Sequence, residues 1–594
     1  MRDFWLGLDF RTRQRAALAV LGVVVAAAVL VFAVPRLPCQ FPAGDVCAPD
    51  DDAKVLVPAD ALAYAHLTLD PDTGQYEDAR EILDAFPQIT RQVVARLLAQ
   101  VPGPGGGAAD FERDIAPWFG GQAAVAIVPG GGAAEQVQLL EEGDPDGAAG
   151  FARALAAGTP KTQDYRGAEV TVDSRGLATA SVSGFLAIGT EQGVRRVIDV
   201  DTEGEGARPL SEDPVASELV DELPAERFVD AYVSPDGIER LIADESSPLA
   251  TLEPFVDAAA SEGAAASLGA SEGALELAVR SSLDPQSAGA DPGFFAAFPP
   301  FEPKLPELLS AGSLAYVGIG DPGTTVNELL AQATAEAPAL AQGLTEAAER
   351  LRELGDVKVE EELLPALGGE AAFALQPGDA GSGRPGGEQE GEPPPPELEG
   401  LEEGAPVLEE ETEVPVLQFV AEGVDAERAR KALAQLQGPI AEALDPELQA
   451  PVFDSRTYEG IDLEVLRVTP TVNLTYAVAG HSLAVATQPS GVEQVIDGDG
   501  GLDEMERFAD ATEGFPDEPS MLAYLNLSGL VELGEREGLA EDPVYALFAP
   551  EIRRLEAAGV AVEAESASLA TDARVVISQG GGGDGSSASG DSSG

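Results

Sequence analysis

Residues able to do chemistry are scarce in this chain. His66 and His481 are the two histidines among 594 residues, so acid–base or nucleophilic chemistry through imidazole has only two places to sit. His66 stands two residues after Tyr64 in an Ala-Tyr strand, on the same face as Tyr64 and Thr68, because strand side chains alternate. In three similar segments the matching position is Ser234, Gly318 or Asn526, which reads as a tolerant polar site. His481 follows Gly480 at an expected hairpin turn, an exposed setting. No Gly-x-Ser-x-Gly elbow accompanies either histidine, and no catalytic residue is assigned.

Metal and cofactor signals are equally thin. Asp144 and Asp146, before Gly147, start like a calcium loop but lack its later ligands. Asp144 reads better as a helix cap, like Asp425 at the matching place further on. Asp497, Asp499 and Asp503 sit among Gly498, Gly500 and Gly501, yet Phe508 stands where the closing glutamate belongs. No metal ligand is assigned. Gly105–Gly107 and Gly130–Gly132 have no Lys-Ser/Thr after them, so no phosphate-cradling loop or cofactor is expected. With 104 acidic residues, carboxylate pairs arise by chance, and none stands out by spacing. Cys39 and Cys47 can close a local disulfide loop flanked by Pro38, Pro42 and Gly44. A bridge between two chains is the competing reading. The pair without nearby histidine is a poor zinc site.

The elements that carry these residues begin with a membrane anchor. Residues 16–34 read AALAVLGVVVAAAVLVFAV, roughly 29 Å of helix at ~1.5 Å per residue, which matches the bilayer core. Arg2, Arg11, Arg13 and Arg15 precede it, while Asp45, Asp50, Asp51 and Asp52 follow. The positive-inside rule then places residues 1–15 in the cytoplasm and the body outside the plasma membrane. The apolar run is longer than a cleaved signal's core, and Pro35 directly follows Ala33-Val34. Arg36-Leu37-Pro38 lacks the small residues a lipoprotein site at Cys39 needs. Net charge is −69, and Lys54, Lys161, Lys304, Lys358 and Lys431 are the only lysines. Such a body repels nucleic acid, which is excluded as a partner.

Beyond a short stalk at 35–54 the chain repeats itself. PWFGGQAAVAIVPG (117–130) matches PALGGEAAFALQPG (365–378), and YRGAEVTV (165–172) matches YEGIDLEV (458–465). FLAIGTEQGVRRVID (185–199) matches SLAVATQPSGVEQVID (482–497), in the same order. The expected architecture is α+β: a tandem duplication of a mainly antiparallel sheet with helices on one face, in units 55–284 and 305–578 joined by a linker at 285–304. Alternation at Val125 and Ile127, or Leu483 and Val485, suits half-buried strands. Helices are expected over 147–157, 192–199, 426–436 and 491–497. Asp70 and Asp321, each before proline, read as helix caps. The Pro/Gly/Glu-rich insert 379–413 and the Gly/Ser tail 579–594 are expected to be disordered.

The anchor, the opening VPADALAYAHLTLDP, and the segments PWFGGQAAVAIVPG and GFLAIGTEQGVRRVID together resemble the domain-of-unknown-function 3352 family. These are bacterial membrane-anchored extracytoplasmic proteins. The resemblance covers most of the body and implies no established activity, cofactor or catalytic residue, and the insert 379–413 stands out as this chain's own addition. Three functions remain open. The first is a non-enzymatic binding or scaffold module of the envelope, contacting a protein, peptide or lipid-like ligand. The second is a carboxylate- or cation-dependent enzyme acting on envelope material. The third is an unspecialised acidic surface protein. A pocket converging acidic side chains would favour the enzyme; an open groove would favour binding.

Overall fold

The computed structural model describes residues 50–69, 74–98, 103–104, 107–130, 134–204, 206–243, 261–271, 273–283, 298–325, 363–378, 414–444, 453–469, 472–498, 500–565 and 567–578. The anchor at 16–34, the Cys39/Cys47 pair, the Asp70 cap, the insert 379–413 and the tail 579–594 lie outside the described residues. Among the described residues no helix is long and apolar enough to cross a membrane. The chain divides into two compact units. Unit 1 is built from Met1–Pro303, Ile319–Glu346 and Glu506–Gly594, and unit 2 from Lys304–Gly318 and Ala347–Met505.

The strands of unit 1 begin with β1 (Ala63–Thr68), β2 (Phe119–Pro129), β3 (Ala134–Glu142), β4 (Lys161–Tyr165) and β5 (Ala168–Val172). They continue with β6 (Leu177–Val182), β7 (Phe185–Thr190), β8 (Val229–Val233), β9 (Ser261–Ser271) and β10 (Ala274–Leu283). Unit 2 holds most of β11 (Ala315–Gly320) and all of β12 (Glu370–Gln376), β13 (Val416–Glu422), β14 (Asp454–Tyr458), β15 (Ile461–Arg467), β16 (Asn473–Ala479) and β17 (Ser482–Ala486). Unit 1 is completed by β18 (Met521–Leu525), β19 (Leu555–Ala564) and β20 (Ser568–Ile577).

Among the described residues every pairing within unit 1 is antiparallel, and the strand order runs β4-β5-β6-β7-β3-β2-β1-β8-β9-β10-β20-β19-β18. Unit 2 runs β14-β15-β16-β17-β13-β12, also antiparallel. That order matches the β4-to-β2 stretch of unit 1 strand for strand. The tight hairpins explain part of this. Arg166 and Gly167 (φ 52° and 91°) turn β4 into β5, and Glu459 and Gly460 (φ 48° and 83°) turn β14 into β15. Two successive positive φ values fit the right-handed twist of a hairpin, and glycine takes the second at no steric cost.

The expectation of helices on one face does not hold in unit 1. Consecutive residues Val137–Leu140 and Phe185–Ile188 are all buried, so these central strands are covered on both sides. One core joins Leu139 and Ala187 to Val194, Val197 and Ile198 of helix Glu191–Asp201 and to Ala216 and Leu219 of helix Pro214–Asp221. The opposite core joins Leu140, Leu186 and Ile188 to Ile82 and Leu83 of helix Gly74–Ala85 and to Phe151 and Leu155 of helix Pro145–Leu155. Phe185–Ile188 is a continuous apolar run, the mark of a strand buried on two faces, and Val137–Leu140 differs from one by the buried Gln138. On β2 the buried row is Ala124, Ala126 and Val128, while Val125 and Ile127 face outward. The expected helices form at Pro145–Leu155, Glu191–Asp201, Ala426–Leu444 and Pro489–Asp497.

Candidate functional site

β1 lies between β2 and β8, and the register sets Tyr64 opposite Tyr232 and His66 opposite Asp230. The short 3-10 turn at Ala53–Val55 brings Asp51 to the same place. His66 is sealed in at 1 % exposure and Asp230 at 3 %. His66 Nε2 lies 3.3 Å from Gln122 Oε1 and 3.8 Å from Asp51 Oδ1. On the other side of the ring, Nδ1 is 3.7 Å from Asp230 Oδ1, beyond hydrogen-bond reach, and has no hydrogen-bond partner. Tyr64 donates its hydroxyl to Asp51 Oδ1 at 2.6 Å, and the Lys54 N–H donates to the same oxygen at 3.1 Å. Arg227 places Nε 3.5 Å from Asp230 Oδ1.

Burial pushes the Asp51 carboxyl above its usual range, against the pull of His66 and the Tyr64 hydrogen bond. Burial also opposes charge on His66, but the facing Asp230 and Asp51 outweigh it and raise the ring above the ordinary imidazole range. Tyr64 is driven well above the phenol range by burial and by Asp51. Unit 2 holds a simpler version. Glu370 accepts from the N–H groups of Lys304 (2.8 Å) and Leu305 (3.1 Å) and from the Tyr316 hydroxyl (3.3 Å). Burial lifts Glu370 to about 7 even against these donors. Gly318 stands two residues after Tyr316, so this strand carries no imidazole there.

A second feature is open to solvent. An open cleft of about 830 Å³ in unit 1 is lined by Arg166, Arg196 and Arg208 together with Asp60 and Asp199. Arg166 comes from the β4–β5 turn, and its Nε lies 2.6 Å from Asp199 Oδ1. Asp199 also accepts from the Tyr165 hydroxyl at 2.9 Å. Arg196, on helix Glu191–Asp201, pairs with Asp60 and donates from Nη1 to the Pro129 carbonyl at 3.0 Å. Arg208 lies 3.5 Å from Asp213. A Cβ on Gly204 would come within 3.2 Å of the Arg166 guanidinium, so glycine there leaves room for it.

The candidate loops read from the sequence fall elsewhere. Asp144 caps helix Pro145–Leu155 and accepts from the Asp146 N–H, and Asp425 accepts from the Arg428 N–H at the start of helix Ala426–Leu444. Asp321 likewise accepts from the Thr324 N–H. Asp497 accepts from the Tyr458 hydroxyl at 2.7 Å, as Asp199 does from Tyr165. Among the described residues, Asp51, His66 and Asp230 are the group with metal-holding geometry, and none of those loop aspartates belongs to it. His481 is exposed at the β16–β17 turn. The buried cluster was missed because Asp51 fell in the expected stalk. One signal was available: antiparallel pairing of the two Ala-Tyr strands, tyrosine to tyrosine, sets His66 against Asp230.

Fold and sites define an α+β protein dominated by antiparallel sheet, with a sealed carboxylate–imidazole cluster and an arginine-lined cleft. The chain belongs to the family described as protein of unknown function (DUF3352), whose pattern matches residues 15–391. No curated protein matches it. Among solved structures, crystal form I of TP0453 is similar at 11% identity and a TM-score of 0.24, over 39% of this chain and 79% of that one. Crystal form IV matches at 10% identity and a TM-score of 0.25, over 39% and 80%. At these scores the likeness decides nothing about fold or function.

Proposed function

We propose that the chain is a membrane-anchored, extracytoplasmic binding module of the cell envelope, built by duplicating one α+β design and specialised to take an anionic ligand in unit 1. The duplication draws support from the shared strand order, the paired Tyr-x-Gly hairpins and the matched Tyr165–Asp199 and Tyr458–Asp497 hydrogen bonds. The anchor rests on the apolar run at 16–34 and its flanking arginines.

The observation that carries the binding role is the arginine cleft. In a chain with 104 acidic and 35 basic residues, three arginines around one open cavity oppose the general charge. Arginine's planar fork suits carboxylate and phosphate groups. At the corresponding positions of the second copy Arg166 becomes Glu459 and Arg196 becomes Gln494, so the two copies have diverged where the ligand would sit. Binding is favoured over catalysis because the Asp51–His66–Asp230 cluster is sealed from solvent, whereas the accessible cavity is lined by arginines held in ion pairs. Calorimetric titration of the full chain in detergent with inorganic phosphate, citrate and poly-glutamate tests this. At least one probe should bind, weaken as salt rises, and lose tenfold or more in affinity in Arg196→Ala/Arg208→Ala. Failure of all three probes, or binding indifferent to the double substitution, would remove the anionic-ligand reading.

A further inference from the structure

We propose that Asp51, His66 and Asp230 form a buried site for a single divalent transition-metal ion of the zinc or manganese type. One ring nitrogen and one oxygen from each carboxylate lie within 4.8 Å of one another. Three atoms so spaced share a centre within ~2.8 Å of each, and a small inward shift reaches the ~2.0–2.2 Å bonds such ions make.

The orphaned nitrogen is the independent observation. In the neutral tautomer that donates Nε2–H to Gln122 Oε1, 3.3 Å away, Nδ1 presents a lone pair to Asp230 Oδ1 at 3.7 Å, and Nδ1 has no hydrogen-bond partner. Two lone pairs facing each other out of water are repulsive, and a buried polar atom without a partner is costly. The separation is too long for a hydrogen bond and right for two ligands of one ion. An outer shell exists as well. Gln122 fixes the ring, Tyr64 and the Lys54 N–H fix Asp51, and such second-sphere bonds orient metal ligands. Arg227 balances Asp230 at 3.5 Å and also donates to the Pro224 carbonyl at 2.7 Å, while Lys54 is the cation nearest in effect to Asp51. An ion would add to these two cations against two carboxylates. The mixed nitrogen–carboxylate donor set selects zinc or manganese over magnesium and calcium. The ion would staple the segment entering unit 1 to strands β1 and β8, and burial would make its exchange slow.

Elemental analysis of the full chain, purified in detergent without chelator, is the test. One zinc or manganese per chain is expected, retained in Asp146→Asn, an exposed aspartate in the first turn of helix Pro145–Leu155, and reduced at least tenfold in Asp230→Asn. Because Asp230→Asn alters a buried pair and can disturb folding, the unsubstituted chain supplies a second readout. Denatured with chelator and refolded, it should gain several degrees in Tm when zinc or manganese is restored. Absence of bound metal together with an unchanged Tm would overturn the proposal. So would metal that stays in a folded Asp230→Asn chain.

Discussion

Glu370 and Gln122 show how residue type sets the behaviour of two positions placed alike in sequence. Each follows a Gly-Gly pair, and each accepts from backbone N–H groups of an entering segment: Lys304 and Leu305 for Glu370, Asp52 for Gln122. Gln122 does this without charge. Glu370 does it as a carboxyl whose pKa is lifted by burial to about 7 from an ordinary 4.5, with Glu422 directly opposite on β13. The folded state therefore keeps a proton that the unfolded chain releases, and stability falls as pH rises from about 4.5 through about 7. Glu370→Gln should abolish that fall. At pH 8 the variant should be more stable than the parent by on the order of 2 kcal/mol, and at pH 4 nearly equal to it. Urea midpoints followed by circular dichroism across this range check it; equal pH slopes in both proteins would refute it. The sequence showed the Gly-Gly alignment that pairs these residues. It did not show burial, because one acidic residue among 104 looks like any other until a sheet closes over it.

At the level of elements, glycines separate close packing from mere propensity. Gly559 sits mid-strand on β19, where an added Cβ would meet the Ala511 carbonyl of helix Glu506–Thr512 at 2.0 Å. Gly150, inside helix Pro145–Leu155, has nothing within 4 Å of that position. Gly559→Ala should cost about 2–4 kcal/mol because the helix must back away from the sheet. Gly150→Ala should stabilise by about 0.5–1 kcal/mol through helix propensity alone. Thermal melts of the two variants against the parent measure both signs, and a neutral Gly559→Ala would show that helix and strand are not locked. Element positions were largely legible, since caps such as Asp144 and hairpin pairs such as Arg166-Gly167 carry their own signals. What escaped was the layering. Phe185–Ile188 is a continuous apolar run and Val137–Leu140 is broken by Gln138 alone, and a one-faced sheet was expected because alternation elsewhere, as on β2, dominated the reading. Even there the buried row opens with Ala124 and Ala126, and the bulkier Val125 and Ile127 point outward.

For the whole molecule, charge is the governing quantity. A chain at −69 stores self-repulsion that salt screens within about 10 Å at 0.1 M. The insert 379–413 contributes twelve acidic residues against one arginine, Arg384, so removing it tests repulsion and architecture together. Its flanking strands close without it: β12 and β13 hold register up to Gln376 opposite Val416. The equivalent β2–β3 pair ends at Pro129 opposite Ala134, where residues 130–133 (GGGA) make the connection. Replacing 379–413 with that four-residue connection should leave the Tm at 0.15 M salt within about 2 °C of the parent, because loop length alone changes stability little. At 0.01 M salt the shortened chain should be the more stable of the two, and its gain in Tm on adding salt should be smaller, since fewer like charges remain to be screened. Melting curves of both chains over a salt series decide the matter. A large loss at every ionic strength would mean that the insert holds the sheet together. An unchanged salt response would mean that its charge lies too far from the body to be felt by it.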